Sequence, residues 1–221
     1  MPDIYREKWG KFLRRIWPFR FIPFVDFVLV AGSLATGNVK ESSDFDVIIG
    51  VRQGRIFSAR LFCYFVFGIL GWRKGKKDKI GKDKFCFNHF VAPKAFRLSP
   101  PYNEYWANLY LSLIPVYGDK KLIQNFFDEN IDWLGKRRSL ADDFVNIQHH
   151  KNIFKLFFQT VLSGFVGNWL EKKFKNIQIK RIEEAMNSET GYKPRIIYND
   201  NELEFHPDTR RIEEMLNNSQ K

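Results

Sequence analysis

Residues 28–49, VLVAGSLATGNVKESSDFDVII, constrain this chain more than any other stretch. The apolar run from Val28 to Ala31 stops at Gly32-Ser33. Eleven residues after Gly32, Ser43-Asp44-Phe45-Asp46 opens a second apolar run, Val47 to Ile49. Two β-branched runs that each meet small or acidic residues at one end read as two strands carrying a site at their tips. Asp44 and Asp46 are two apart, so on a strand both carboxylates point to one face. Carboxylates aimed at one point repel each other unless a cation lies between them. Hard divalent ions such as Mg²⁺ take oxygen ligands, commonly one or two carboxylates together with substrate phosphates. The Gly-Ser turn supplies the complement, because glycine lets backbone N–H groups approach a phosphate and the Ser33 hydroxyl adds a donor. The residues therefore point to a metal–nucleoside triphosphate site.

The rest of the chain gives this pair of strands a setting. Residues 3 to 16 place Ile4, Trp9, Phe12, Leu13 and Ile16 near one helical face, with Arg6, Lys8, Lys11, Arg14 and Arg15 over the remainder. Pro18 and Pro23 end that helix and lead into a first strand at about 25–31. A second strand follows at about 45–51, then a helix at 56–71. The segment RKGKKDKIGKDK, residues 73 to 84, holds seven basic residues against two acids and reads as an exposed loop. FCFNHFV, residues 85 to 91, reads as a third strand. Strict alternation would put Phe85, Phe87 and His89 on one face and Cys86, Asn88 and Phe90 on the other.

Pro100-Pro101 is the best candidate boundary, dividing a core at 1–99 from a helical part at 100–221 with a short strand and helix tail. Asn103 and Asp119 are N-cap candidates for helices reaching about Ser112 and Leu134. Further helices are expected over about 140–157 and 159–185, then strands at 195–198 and 203–205 and a last helix capped by Asp208. The expected class is α/β (α+β), a small mixed sheet followed by helices.

Composition narrows the partners. The net charge is +11 with a pI near 9.6, which favours anionic partners such as nucleotides or RNA. Cys63 and Cys86 are the two cysteines, too few for a disulfide framework or a tetrahedral zinc set, and the chain reads as cytoplasmic. No signal peptide is visible, and the most apolar helix has an uninterrupted apolar stretch well short of the ~20 residues that span a bilayer. No integral membrane segment is expected.

Gly32-Ser33-Leu34-Ala35-Thr36-Gly37 followed by Ser43-Asp44-Phe45-Asp46-Val47 resembles the signature of the DNA polymerase β-like nucleotidyltransferase superfamily. It is closest to the minimal nucleotidyltransferases, with their Gly-Ser-x-Ala-x-Gly and Ser-Asp-x-Asp motifs. The resemblance covers about residues 22 to 50 and, more loosely, the chain to about 92. It implies that Gly32 and Ser33 hold the phosphates of a nucleoside triphosphate, ATP by preference. Asp44 and Asp46 would coordinate Mg²⁺, with Mn²⁺ as the alternative ion. An acceptor hydroxyl on RNA, protein or a small molecule would receive the nucleoside monophosphate, and pyrophosphate would leave. Thr36 and Lys40 lie between the motifs and could touch phosphates.

The resemblance also exposes a departure. Active members usually carry a third acid on the later strand, and residues 85–91 contain no Asp or Glu. Asn88 as a neutral ligand and His89 as a base are the candidates for that position. The alternative reading is a catalytically impaired nucleotide- or RNA-binding module. Two further clusters read as structural: His149-His150, which diverge by ~100° on a helix, and the packed turn at Phe205-His206-Pro207-Asp208.

Overall fold

The computed structural model describes residues 3–75, 78, 80–100, 102–135, 152–187 and 195–206. The two motif strands are present as expected. β1 (Val25–Val30) and β2 (Phe45–Val51) lie side by side and antiparallel, with Val28 opposite Ile49 and Val30 opposite Val47. Between them sits α2 (Gly32–Thr36), a short helix closed by Gly37 in the left-handed region. After β2 the chain crosses through α3 (Ile56–Ile69) and returns as β3 (Phe85–Val91), parallel to β2. A parallel neighbour requires such a crossover, because a tight turn can only reverse the strand.

The remaining strands come from beyond Pro100. β4 (Ile114–Gly118) pairs antiparallel with β1, and the hairpin β5 (Arg195–Tyr198) and β6 (Glu202–His206) joins β3, giving the order β4-β1-β2-β3-β6-β5. One mixed six-stranded sheet therefore spans both sides of Pro100. β4 falls where helices alone are expected. Its Pro115 is tolerated because β4 is an edge strand, where a missing N–H need not break a ladder.

Each face of the sheet is closed by aromatic packing. On one face α1 (Asp3–Arg15) and α3 bring Phe12, Phe57 and Phe67 against Phe45, Phe85 and Phe87. On the other, α4 (Glu104–Leu111) and α5 (Lys120–Asp128) bring Trp106, Tyr110 and Phe126 against Phe27, Leu29, Ile48 and Val91. Phe67 and Phe85 meet edge to face at 4.7 Å between centroids, a geometry that adds to the area they bury. The caps foreseen at Asn103 and Asp119 form: Asn103 accepts from Trp106 N, and Asp119 accepts from Lys121 N and Leu122 N. The second of these helices stops at Asp128, and a short α6 (Ile131–Leu134) follows.

The helices expected over 140–157 and 159–185 meet later than expected: α7 (Ile153–Val161) runs on past 157, and α8 (Phe165–Asn187) begins only at Phe165. The break is steric: at the turn the Leu162 carbonyl lies where a Cβ on residue 167 would sit, 1.6 Å away, so only Gly167 permits it. α8 then packs along α3. Its Glu171 carboxylate accepts hydrogen bonds from Phe57 N and Ser58 N, both at 2.9 Å, supplying the cap that α3 lacks in its own sequence. The helix expected at 140–157 lies in its first part outside the described residues, as do His149-His150 and the helix capped by Asp208. Among the described residues no helix is long and apolar enough to cross a membrane.

Candidate active site

The antiparallel pair β1 and β2 brings the start of α2 to the start of β2. Ala31 N donates to Asp46 O at 2.9 Å, so the ladder runs on to the last residue before Gly32. Gly32 then turns with φ +62°, and a Cβ there would lie 2.4 Å from Asp46 Oδ2. The Gly32 backbone therefore rests directly against the Asp46 carboxylate, a contact and a conformation that both require glycine. Ser33 and Thr36 face a cleft of about 500 Å³, whose opposite wall is Tyr105, Asn108 and Leu109 of α4. Thr36 Oγ1 also donates to Gly32 O at 3.1 Å, which steadies the turn, whereas Lys40 is exposed.

The segment that feeds Asp44 is held from below by α1. Lys8, which the helical pattern groups with the surface charges, is only 2% exposed. Its Nζ donates to Glu41 O at 2.7 Å and Ser43 O at 2.8 Å and pairs with Asp83 at 2.7 Å. Asp83 lies two residues before β3, so one ammonium ties together the approaches to both strands that carry the site. Burial alone would raise the Asp83 carboxyl, but hydrogen bonds from Lys8 and Lys11 outweigh it and hold it below its ordinary range.

The third side chain is Cys86. The parallel register sets Asp46 beside Cys86, and one ligand atom from each of Asp44, Asp46 and Cys86 lies within 4.8 Å of the others. The next pair along is Ile48 with His89, so β3 carries one residue more than β2 between these pairs. This bulge resets the alternation. Phe85, Phe87 and Phe90 face the α3 side, while His89 turns toward Tyr110 on the α4 side. The faces expected from strict alternation are thus corrected: His89 parts company with Phe85 and Phe87, and Phe90 joins them.

His89 consequently belongs to another cluster. It is 2% exposed, and its Nε2 is 3.1 Å from Glu202 Oε1, while Ser99 Oγ donates to Glu202 Oε2 at 2.9 Å. Glu204 completes that cluster, paired with Arg195 at 2.8 Å. Asn88 is half-buried beside the bulge. The position next to the two carboxylates is filled by Cys86, which neither Asn88 nor His89 anticipates.

Charge at the site is tightly balanced. Burial, and secondarily the neighbouring Asp44 charge, push the Asp46 carboxyl up to about 7. Burial, with Asp46 and Asp44 beside it, also raises the Cys86 thiol, so at neutral pH it is an uncharged SH. Lys74, from the basic loop, places Nζ 2.5 Å from Asp44 Oδ2. Burial would lower this ammonium, but the Asp44 hydrogen bond and charge outweigh it and raise it. Asp44 and Asp46 offer the hard oxygens that a magnesium-type ion takes, and the neutral thiol does not. The donor set fits such an ion at two of its three protein positions.

Compared with known proteins, the chain matches no protein-family model and no curated protein.

Proposed function

We propose that this chain is a divalent-metal-dependent nucleotidyltransferase that moves a nucleoside monophosphate, AMP from ATP by preference, to an acceptor hydroxyl. One observation carries the reading: the Gly32-Ser33 turn lies directly against Asp46 at the mouth of a cleft, with Asp44 beside it. A triphosphate seated on the turn would have its phosphates within reach of two carboxylates, an arrangement that calls for a cation between them. Mg²⁺ or Mn²⁺, held by Asp44 and Asp46, would offset charge on the phosphate oxygens. Gly32 and Ser33 hold and orient the phosphates through backbone N–H and hydroxyl donors. Tyr105 and Asn108 offer an aromatic face and an amide on the opposite wall. Lys8 fixes the Asp44 segment, so the carboxylate pair is set before substrate arrives. The strongly positive chain favours RNA or another anionic acceptor.

Labelled ATP with Mg²⁺ and total cellular RNA or lysate tests this. Transfer of label with release of pyrophosphate, lost in Asp44→Asn and Asp46→Asn, is the expected result. ATP binding without pyrophosphate release, under Mg²⁺ and Mn²⁺ alike, would sink the enzyme.

A second reading, a nucleotide-binding module without turnover, is favoured by Cys86. In the metal-free protein the Cys86 thiol next to Asp46 is neutral, so unlike a third carboxylate it adds no negative charge that draws a metal in, nor a ready base for the attacking hydroxyl. Cys86→Asp separates the two. If the module reading is right, restoring a third carboxylate creates transfer where the native chain has none. If the native chain already turns over, the same change tightens metal binding and raises an existing rate.

A further inference from the structure

Helix α7, IFKLFFQTV, is turned inside out. Two of its three polar side chains face the protein: Lys155 Nζ donates to Val25 O at 2.5 Å and to Tyr117 Oη at 2.9 Å, and Gln159 is 8% exposed. Its apolar side chains face outward, with Ile153 84%, Phe154 68% and Phe157 61% exposed, and Leu156, Phe158 and Val161 about half exposed or more. At 100° per residue the outward arc spans roughly 200°, with Thr160 the one polar residue on it. Phe165, Val166 and Trp169 extend the surface onto α8. An amphipathic helix that buries its lysine and exposes its phenylalanines is the reverse of what water selects.

We propose that this surface is the contact face of a homodimer, each copy covering the α7–α8 patch of the other. With about 200 Å² for a fully exposed side chain of this size, the nine apolar residues present roughly 1,000 Å², against about 800 Å² per partner in a standard interface. The patch is aromatic-rich and its α7 arc holds no charge, the composition of the centre of a protein–protein contact. A lipid surface fits less well. Helices that lie on membranes carry free Lys or Arg beside the apolar face, whereas the α7 lysine points inward, Arg55 at the α7–α8 turn is bonded to Ser163 O and Asn168 Oδ1, and Lys173 lies over the Trp169 ring at 4.0 Å. A two-fold contact needs the patch to match nothing but itself.

Light scattering on the purified full chain across micromolar concentrations reads this out. The expected particle has twice the 26.3 kDa chain mass, and Phe157→Lys returns it to the single-chain mass with its melting transition kept. Should Phe157→Lys not fold, Phe154→Ser serves in its place and must weaken dimerisation at least about ten-fold. A single-chain mass for the native protein at every concentration overturns the proposal, as does a dimer that both variants leave unchanged. Given a monomer, flotation with phosphatidylserine vesicles would identify a lipid surface instead. Shielding of Phe154 and Phe157 from labelling in that monomer would identify another segment of the same chain as the cover.

Discussion

Asp46→Asn should make the metal-free protein more stable while abolishing the transfer proposed above. The folded carboxyl titrates near 7, against an ordinary value of 3.8. The sign follows from linkage: a carboxyl whose folded pKa is raised costs nothing below the unfolded value. The cost grows as pH rises through the interval and is complete above the folded pKa. Here that interval runs from about 4 to about 7. A shift of this size is worth at most about 4 kcal/mol at pH 8, and solvent at the open edge of the site reduces it to about 2–4 kcal/mol. In a chain of this length that corresponds to roughly 5–15 °C of melting temperature. Asparagine keeps the shape and removes the charge. Thermal melts in chelator should therefore show the native protein losing stability between pH 5 and 8 and Asp46→Asn holding its value. Mg²⁺ should restore the native protein alone, because a cation bound at Asp44 and Asp46 favours the ionised form. Parallel pH profiles for the two proteins, or a less stable variant at pH 8, would refute the buried, repelled carboxylate.

Gly32→Ala should cost about 1–2 kcal/mol from the left-handed backbone alone. It should also weaken Mg²⁺-dependent ATP binding, since its Cβ would displace Asp46 Oδ2 from 2.4 Å; melts and calorimetry read the two effects separately. His89→Ala should lower stability by about 1–3 kcal/mol by removing one of the two hydrogen-bond partners of the buried Glu202 side chain. Mg²⁺ affinity should not move, and an unchanged urea midpoint with a lost metal response would return His89 to the active site. Glu171→Ala should destabilise by about 1–2 kcal/mol, because Phe57 N and Ser58 N lose their cap. Hydrogen exchange should quicken at the first turn of α3 ahead of the sheet.

Much of the central sheet was legible in the sequence because its signals are local. β2 and β3 run from Phe45 to Val51 and from Phe85 to Val91, as their β-branched and aromatic runs indicate, and α4 and α5 begin at the caps Asn103 and Asp119. β4 was hidden because IPVYG is five residues with a proline between two helices, and its strand character comes from lying along β1. The position of the break between α7 and α8, after Val161 and not near 158, was hidden for a related reason. The two glycines in that stretch permit close approach, but the partner in that approach, the Leu162 carbonyl, belongs to the same turn and appears only once the turn exists.

At the site, the division is between what a motif contains and what register adds. Gly32, Ser33, Asp44 and Asp46 lie within fifteen consecutive residues, and one antiparallel pair of strands is enough to assemble them. The third position lies across a parallel pair some forty residues later, where the strand register sets Cys86 beside Asp46 and the one extra residue that follows in β3 turns His89 to the other face. Nothing in FCFNHFV marks that bulge, because its cause is the partner strand. Residue type, in a strand without Asp or Glu, points to Asn88 and His89, while the ladder delivers Cys86. Lys74 and Lys8 escape notice in the same way: each is one lysine among many, and only the fold sets one against Asp44 and the other under Ser43. A lysine becomes informative here through its partners, since an ammonium loses little by facing water and is enclosed only where carbonyls and carboxylates replace that water. The enclosed Lys8 under the segment before Asp44 and the partly exposed Lys74 on its carboxylate show that this end of the sheet draws positive charge. A divalent ion would answer the same demand.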